Sequence, residues 1–186
     1  MKTREDELKE LIDLVIKLVW NYTIFRAFFE KNDADLETRK AHPEFFLTMH
    51  DSLLCGFCTA TAILFDDKEK ATSLLNLIKQ SKPETANALA EKIRLNNGYI
   101  KKVEALRHQV FAHRWQSKSP QEVFDEERLQ VNMMAEIVNL VQLIILELAG
   151  EIDRNKKEEL QRQQLSQSTL QSITAEVTQL MRQAFQ

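Results

Sequence analysis

Only three glycines and three prolines punctuate 186 residues. A sheet fold needs tight turns at short intervals, and those turns draw heavily on Gly and Pro. This chain has too few to supply them. Leu, Ala, Glu, Lys and Gln are abundant instead, all good helix formers, and apolar residues return every three to four positions. From about Arg4 to Lys31, Leu8, Leu11, Ile12, Val15, Val19, Tyr22, Phe25 and Phe29 mark one buried stripe. The chain reads as all-α: an up-down helical bundle of about five to seven helices with a long C-terminal helical tail.

Local signals place the breaks. Thr3 with Asp6 caps the first helix, and Asn32-Asp33-Ala34-Asp35 opens a polar loop. Pro43 suits the first turn of a second helix that carries Phe45, Phe46, Met49, Leu53, Phe57 and Ile63-Leu64-Phe65. Asp66-Asp67 stops it and caps a short helix holding Leu74, Leu75, Leu77 and Ile78. Ser81-Lys82-Pro83-Glu84 has the form of a capping box. Asn96-Asn97-Gly98 reads as a break or bend, with Gly98 suited to a left-handed cap, before a helix from Tyr99 to Arg114. Ser119-Pro120-Gln121-Glu122 is a second capping box, leading into a helix with Val131, Met134, Ile137, Val138, Val141, Ile144, Ile145 and Leu148. Gly150 separates residues 1–150, the bundle, from residues 151–186, a polar, glutamine-rich helical tail. There Leu170, Ile173, Val177, Leu180 and Ala184 form a narrow seam, suited to a second subunit, a partner protein or the chain's own bundle.

The formal net charge of −3 argues against a surface coated in cations for nonspecific nucleic-acid binding. No apolar run approaches the ~20 residues that cross a bilayer, and Met1 to Glu7 is too polar and acidic for a secretory signal. The expectation is a cytoplasmic protein with no membrane partner. Cys55-Gly56-Phe57-Cys58 lies in an apolar helical context, not after a strand as a redox pair would. His42 and His50 sit at no familiar zinc spacing. Buried structural thiols are expected, with no metal and no cofactor; a redox or zinc protein is a weaker idea.

The richest chemistry is in Arg107-His108-Gln109-Val110-Phe111-Ala112-His113. Arginine presents a rigid fork of donors matched to phosphate oxygens, and histidine exchanges a proton near neutral pH. Together they could bind a phosphodiester, activate a hydroxyl and stabilise developing charge without a metal. On a straight helix Val103, Leu106, Val110 and His113 share one stripe, so a core histidine bonded to a backbone carbonyl is the plainer alternative for His113. The alternative for Arg107 is a surface cation whose stem covers apolar surface. Between Lys101 and Lys118 five cations (Lys101, Lys102, Arg107, Arg114, Lys118) face one acid, Glu104. Trp115 is a candidate platform for an exposed base.

Arg107-His108 followed by His113 resembles the Arg-x(4–6)-His motif of the HEPN superfamily. The string from Leu106 to Arg114, with its Ala-His-Arg ending, is similar to the abortive-infection AbiU-like branch. So is Ala62-Ile63-Leu64-Phe65-Asp66-Asp67-Lys68 followed by Ser73-Leu74-Leu75-Asn76-Leu77. The similarity covers roughly Leu8 to Leu148 and departs at Trp115, where a small or acidic residue is expected. The resemblance implies a helical bundle that dimerises, joining two motifs in a composite cleft. Many such proteins are metal-independent endoribonucleases of toxin–antitoxin or phage-defence systems. Carried over, Arg107 grips the scissile phosphate, His113 moves the proton of the ribose 2′-hydroxyl, and His108 orients the pair. Lys101, Lys102, Arg114, Trp115 and Lys118 are the candidate RNA-binding residues. The implied partners are RNA, a second copy of the chain and a possible antitoxin protein. The alternative function is a non-catalytic HEPN-like dimer or adaptor that binds a nucleotide or a protein.

Overall fold

The first helix, α1 (Arg4–Phe29), starts on the capping box its sequence carries. Thr3 Oγ1 accepts from the Asp6 N–H at 3.2 Å, and the Asp6 carboxylate accepts from the Thr3 N–H at 3.1 Å and the Thr3 hydroxyl at 2.7 Å. Those bonds from Thr3 hold the Asp6 carboxyl below its usual range. The computed structural model describes residues 2–29, 40–108, 129–152 and 157–158. Its helices are α1, α2 (Pro43–Leu64), α3 (Leu74–Lys79), α4 (Pro83–Leu106) and α5 (Val131–Ile152). Every described element is helical, as the shortage of turn residues requires.

The helices pack around one core. α1 and α2 run antiparallel: the rings of Phe25 and Phe29 stack near His50 at one end, with centroids 5.2 and 5.0 Å away. Further along, a Cβ placed on Gly56 would come within 2.7 Å of the Asn21 side chain. That glycine therefore marks a close approach of the two helices, not a break. α5 contributes the deepest face, with Ile137, Val141, Ile144, Leu148 and Ala149 fully buried beside Leu8, Leu18 and Phe57. It is antiparallel to α1, because Glu151 near its end binds Arg4 at the start of α1 at 2.8 Å. α4 leaves the same corner, where the Lys82 N–H donates to Glu151 at 3.2 Å. It runs to the far end of α2, where Glu104 senses the charges of Asp66 and Asp67.

α2 and α5 are each long and apolar enough to cross a membrane by length and composition. This corrects the expectation that no apolar run reaches such a length; both helices interleave polar residues with an apolar majority. Half of the most apolar stretch of α5 is buried inside the bundle.

Four local expectations change. Ser73, not Asp66 or Asp67, caps α3: its side chain accepts from the Asn76 N–H at 3.3 Å. Asp66 instead turns the chain locally by accepting from the Lys68 N–H at 3.0 Å. Ser81 does not close a box with Glu84, and α4 starts at Lys82 without a side-chain cap. The Ser81 hydroxyl is taken by Arg4, which donates to it at 2.6 Å, and it donates to the Leu77 carbonyl at 3.2 Å. Gly98 does not end a helix. α4 continues through it because Leu89, Ile100, Val103 and Leu106 are buried, and that burial outweighs the roughly 1 kcal/mol cost of one helical glycine. Gly150 likewise sits inside α5, which ends at Ile152. The Ser119 box and the seam from Leu170 to Ala184 lie outside the described residues. Because Ser73 is almost fully buried, Ser73→Ala should destabilise the fold by about 1 kcal/mol, seen as a lower urea midpoint with an unchanged slope.

Candidate functional site

Val103 and Leu106 anchor the last turns of α4, both with no exposed surface. Arg107 and His108 follow in a widened, π-type turn, a local loosening of helical geometry that recurs at functional sites. The Arg107 N–H still closes the helix, donating to the Val103 and Glu104 carbonyls. Buried on one side by Leu106, this turn holds the half-buried Arg107 and the exposed His108 at the edge of a cleft.

That cleft has a volume of about 450 Å³ and lies between the end of α2, α3 and the second half of α4. Its apolar walls are Ala62, Phe65, Leu75, Ile93 and Ile100; its polar groups are Asp66, Asp67, Lys68, Asn97, Glu104, Arg107 and His108. The fold therefore brings the Phe65-Asp66-Asp67 element and the Arg107-His108 pair to one place, although about 40 positions separate them in the chain. Burial pushes the Glu104 carboxyl up; the nearby charges of Asp67 and Asp66 add to this and Lys101 opposes it. Among the described residues no carboxylate forms an ion pair with Arg107, and the Asp66 carboxylate reaches Lys68 at 4.0 Å.

Lys101 is exposed and Lys102 half-buried on the same helix, but neither lines the cleft. His113, Arg114, Trp115 and Lys118 lie outside the described residues, as does the stripe that joins His113 to Leu106. Sequence reasoning missed Asp66, Asp67, Lys68, Asn97 and Glu104 as site residues. The signal was present for three of them, since Asp66, Asp67 and Lys68 belong to the second matching element. Glu104 had been counted only as the one acid in a basic run.

Cys55 is half-buried and Cys58 buried, both as free thiols in the middle of α2. Burial pushes the Cys58 thiol well up, and Cys55 adds to the shift, so at neutral pH Cys58 is a protonated, unreactive group. Among the described residues no cluster of three or more His, Cys, Asp or Glu could hold a metal ion.

A family model described as AbiU2, of HEPN type, matches residues 5–169. No curated protein matches the chain, and no solved structure does.

Proposed function

The chain belongs to the AbiU2 family of HEPN proteins, and from that premise we propose that it is a metal-independent endoribonuclease with a toxin or phage-defence role. Its active site would be completed when a second copy brings another motif to the same groove. The observation that carries this reading is the placement of Arg107: half-buried, at the rim of a cleft, and with no described carboxylate pairing it.

The chemistry requires little machinery. RNA carries its own nucleophile, so the protein supplies position, proton transfer and anion stabilisation. One His113 takes the proton of the ribose 2′-hydroxyl, and the 2′-oxygen attacks the adjacent phosphorus. As the new phosphorus–oxygen bond forms, the bond to the 5′-oxygen breaks, and the other His113 protonates that leaving oxygen. Arg107 from each motif holds the charge that builds on the phosphoryl oxygens, and His108 positions the pair. A two-fold dimer supplies the second histidine by symmetry. Lys101, Lys102, Arg114 and Lys118 would hold the flanking phosphates, Trp115 a base, and an antitoxin protein would restrain the activity in the cytoplasm.

One observation favours a second reading. In the cleft three carboxylates (Asp66, Asp67, Glu104) outnumber the two permanent cations, Lys68 and Arg107. That balance weakens the pull on a polyanion within one chain, and it suits a non-catalytic dimer or adaptor that binds a single nucleotide or a protein.

The test is incubation of wild type, Arg107→Ala and His113→Ala with total RNA, with and without EDTA. Cutting that persists in EDTA, and a loss of about 10²-fold or more in either variant, is the expected result. The pH–rate curve of wild type should be bell-shaped, with one limb for each proton-transfer role. Equal cutting by His113→Ala and wild type would end the catalytic assignment.

A further inference from the structure

We propose that the cleft beside Arg107 takes a guanine base, with the Glu104 carboxylate accepting from guanine N1–H and the 2-amino group. This deepens the ribonuclease reading by naming the nucleotide that the same site recognises, and it rests on that reading for the attached phosphate.

The cleft is built from two kinds of surface. Phe65, Leu75, Ile93 and Ile100 provide apolar walls for the faces of a planar ring. Its volume of about 450 Å³ falls within the range of small-ligand sites. The edge groups include three carboxylates, Asp66, Asp67 and Glu104, beside the cations Lys68 and Arg107, His108 and the Asn97 amide. An ionised carboxylate can only accept hydrogen bonds, so the carboxylate part of this edge favours a ring that presents donors.

The carboxylates are not equivalent. Asp66 already accepts from the Lys68 N–H at 3.0 Å and lies 4.0 Å from the Lys68 ammonium. Asp67 is exposed. Glu104 is half-buried, and no described residue gives it a hydrogen bond or an ion pair. It stands one turn before Arg107 on α4, and residues three apart on a helix are neighbours on its surface. Both line the same cleft, so a nucleotide whose base edge sits on Glu104 can extend its phosphate toward Arg107.

Base chemistry then selects among ligands. Guanine alone has two adjacent N–H donors on its pairing edge, and they match the two oxygens of one carboxylate. Adenine and cytosine each place a ring acceptor beside their amino group, and uracil flanks its single N–H with two carbonyls. Each of these sets at least one lone pair against Glu104. Asn97 can donate its side-chain N–H to guanine O6.

Binding of the 3′-monophosphates of guanosine, inosine, adenosine, cytidine and uridine to the full-length protein, measured by calorimetry, tests this. The guanosine compound should bind about tenfold or more tightly than the adenosine, cytidine and uridine compounds. Inosine keeps N1–H but lacks the 2-amino group, so it should fall between them without any change to the protein. Glu104→Gln replaces one accepting oxygen by a donor and should remove the preference. Equal binding of guanosine and adenosine compounds would overturn the assignment, as would a guanosine preference that survives Glu104→Gln. Mapping cuts on random-sequence RNA separates the two claims. Cuts without regard to guanosine overturn the base assignment and leave the nuclease, whereas selective guanosine binding without cuts upholds the base assignment and overturns the nuclease.

Discussion

Phe57→Ala is expected to lower the unfolding free energy by about 3–5 kcal/mol. Phe57 has no exposed surface and belongs to the core that unites all five described helices. It follows Gly56, whose face meets the Asn21 side chain of α1. Two helices in such contact cannot close over a missing ring without moving backbone, so most of the volume remains as a cavity and the cost approaches the upper end of the range. Total stabilities of about 5–15 kcal/mol are usual, so this one truncation should remove a large share. Urea denaturation followed by circular dichroism reads the effect as a fall in midpoint with an unchanged slope. Leu47→Ala is the control: Leu47 is 64% exposed, and its loss should change stability by no more than about 0.5 kcal/mol. Equal midpoints for the two variants would show that Phe57 does not hold the core together as described.

The second large effect is a dependence of stability on acid. Burial pushes the Glu151 carboxyl up, but hydrogen bonds led by the one from Arg4, with Thr85 and the Lys82 N–H adding to it, outweigh it and hold the group at about 2, against an ordinary value of 4.5. A carboxyl whose folded value is depressed stabilises the fold fully above its unfolded value. That contribution is lost as pH falls through the window from 4.5 to about 2. The Glu151 side chain is only 10% exposed, so solvent screens the interaction weakly, and the loss across the window is on the order of 3 kcal/mol. Glu151→Gln should weaken the protein at pH 7 and flatten this part of the pH–stability curve. The removal is costly because the Arg4 charge would then sit half-buried without its carboxylate, and Arg4 Nε already lacks a partner. Identical curves for variant and wild type between pH 5 and 2 would refute the role given to this pair.

What could be read from sequence follows the range of the forces involved. The Thr3–Asp6 box was legible because its hydrogen bonds join residues three apart. The stripe of α1 was legible in period but incomplete in membership. Leu18 and Phe28 are buried and were not named, whereas Ile12, Tyr22 and Phe29 are only partly covered. The second helix also passes through Cys55–Cys58 unbroken, as the apolar context implied. Ser81 illustrates the opposite case. Its local pattern is that of a cap, yet Arg4, 77 positions away, claims the hydroxyl, and no local rule could register that competitor. Asn97 and Gly98 look like punctuation in isolation, but neighbours at Ile93, Ile100 and Val103 commit the segment to the core side of one helix.

The candidate site divides along the same line. Arg107 and His108 stood out because their chemistry is concentrated in adjacent positions. Glu104 and Asp67 were invisible as partners because only the packing of α4 against the end of α2 brings them to one cleft. A charge count along the chain treats Glu104 as a lone dissenter among cations. In three dimensions it joins Asp66 and Asp67, contributed by the connection that follows α2, in one acidic wall.

The corner at Glu151 has one more consequence. Its carboxylate ties together the first turn of α1, the start of α4 and the last turn of α5. The helix that carries Arg107 at its far end departs from this knot. The 24 residues of α4 run from that knot to the Arg107 rim of the cleft, so the corner and the cleft share one rigid element.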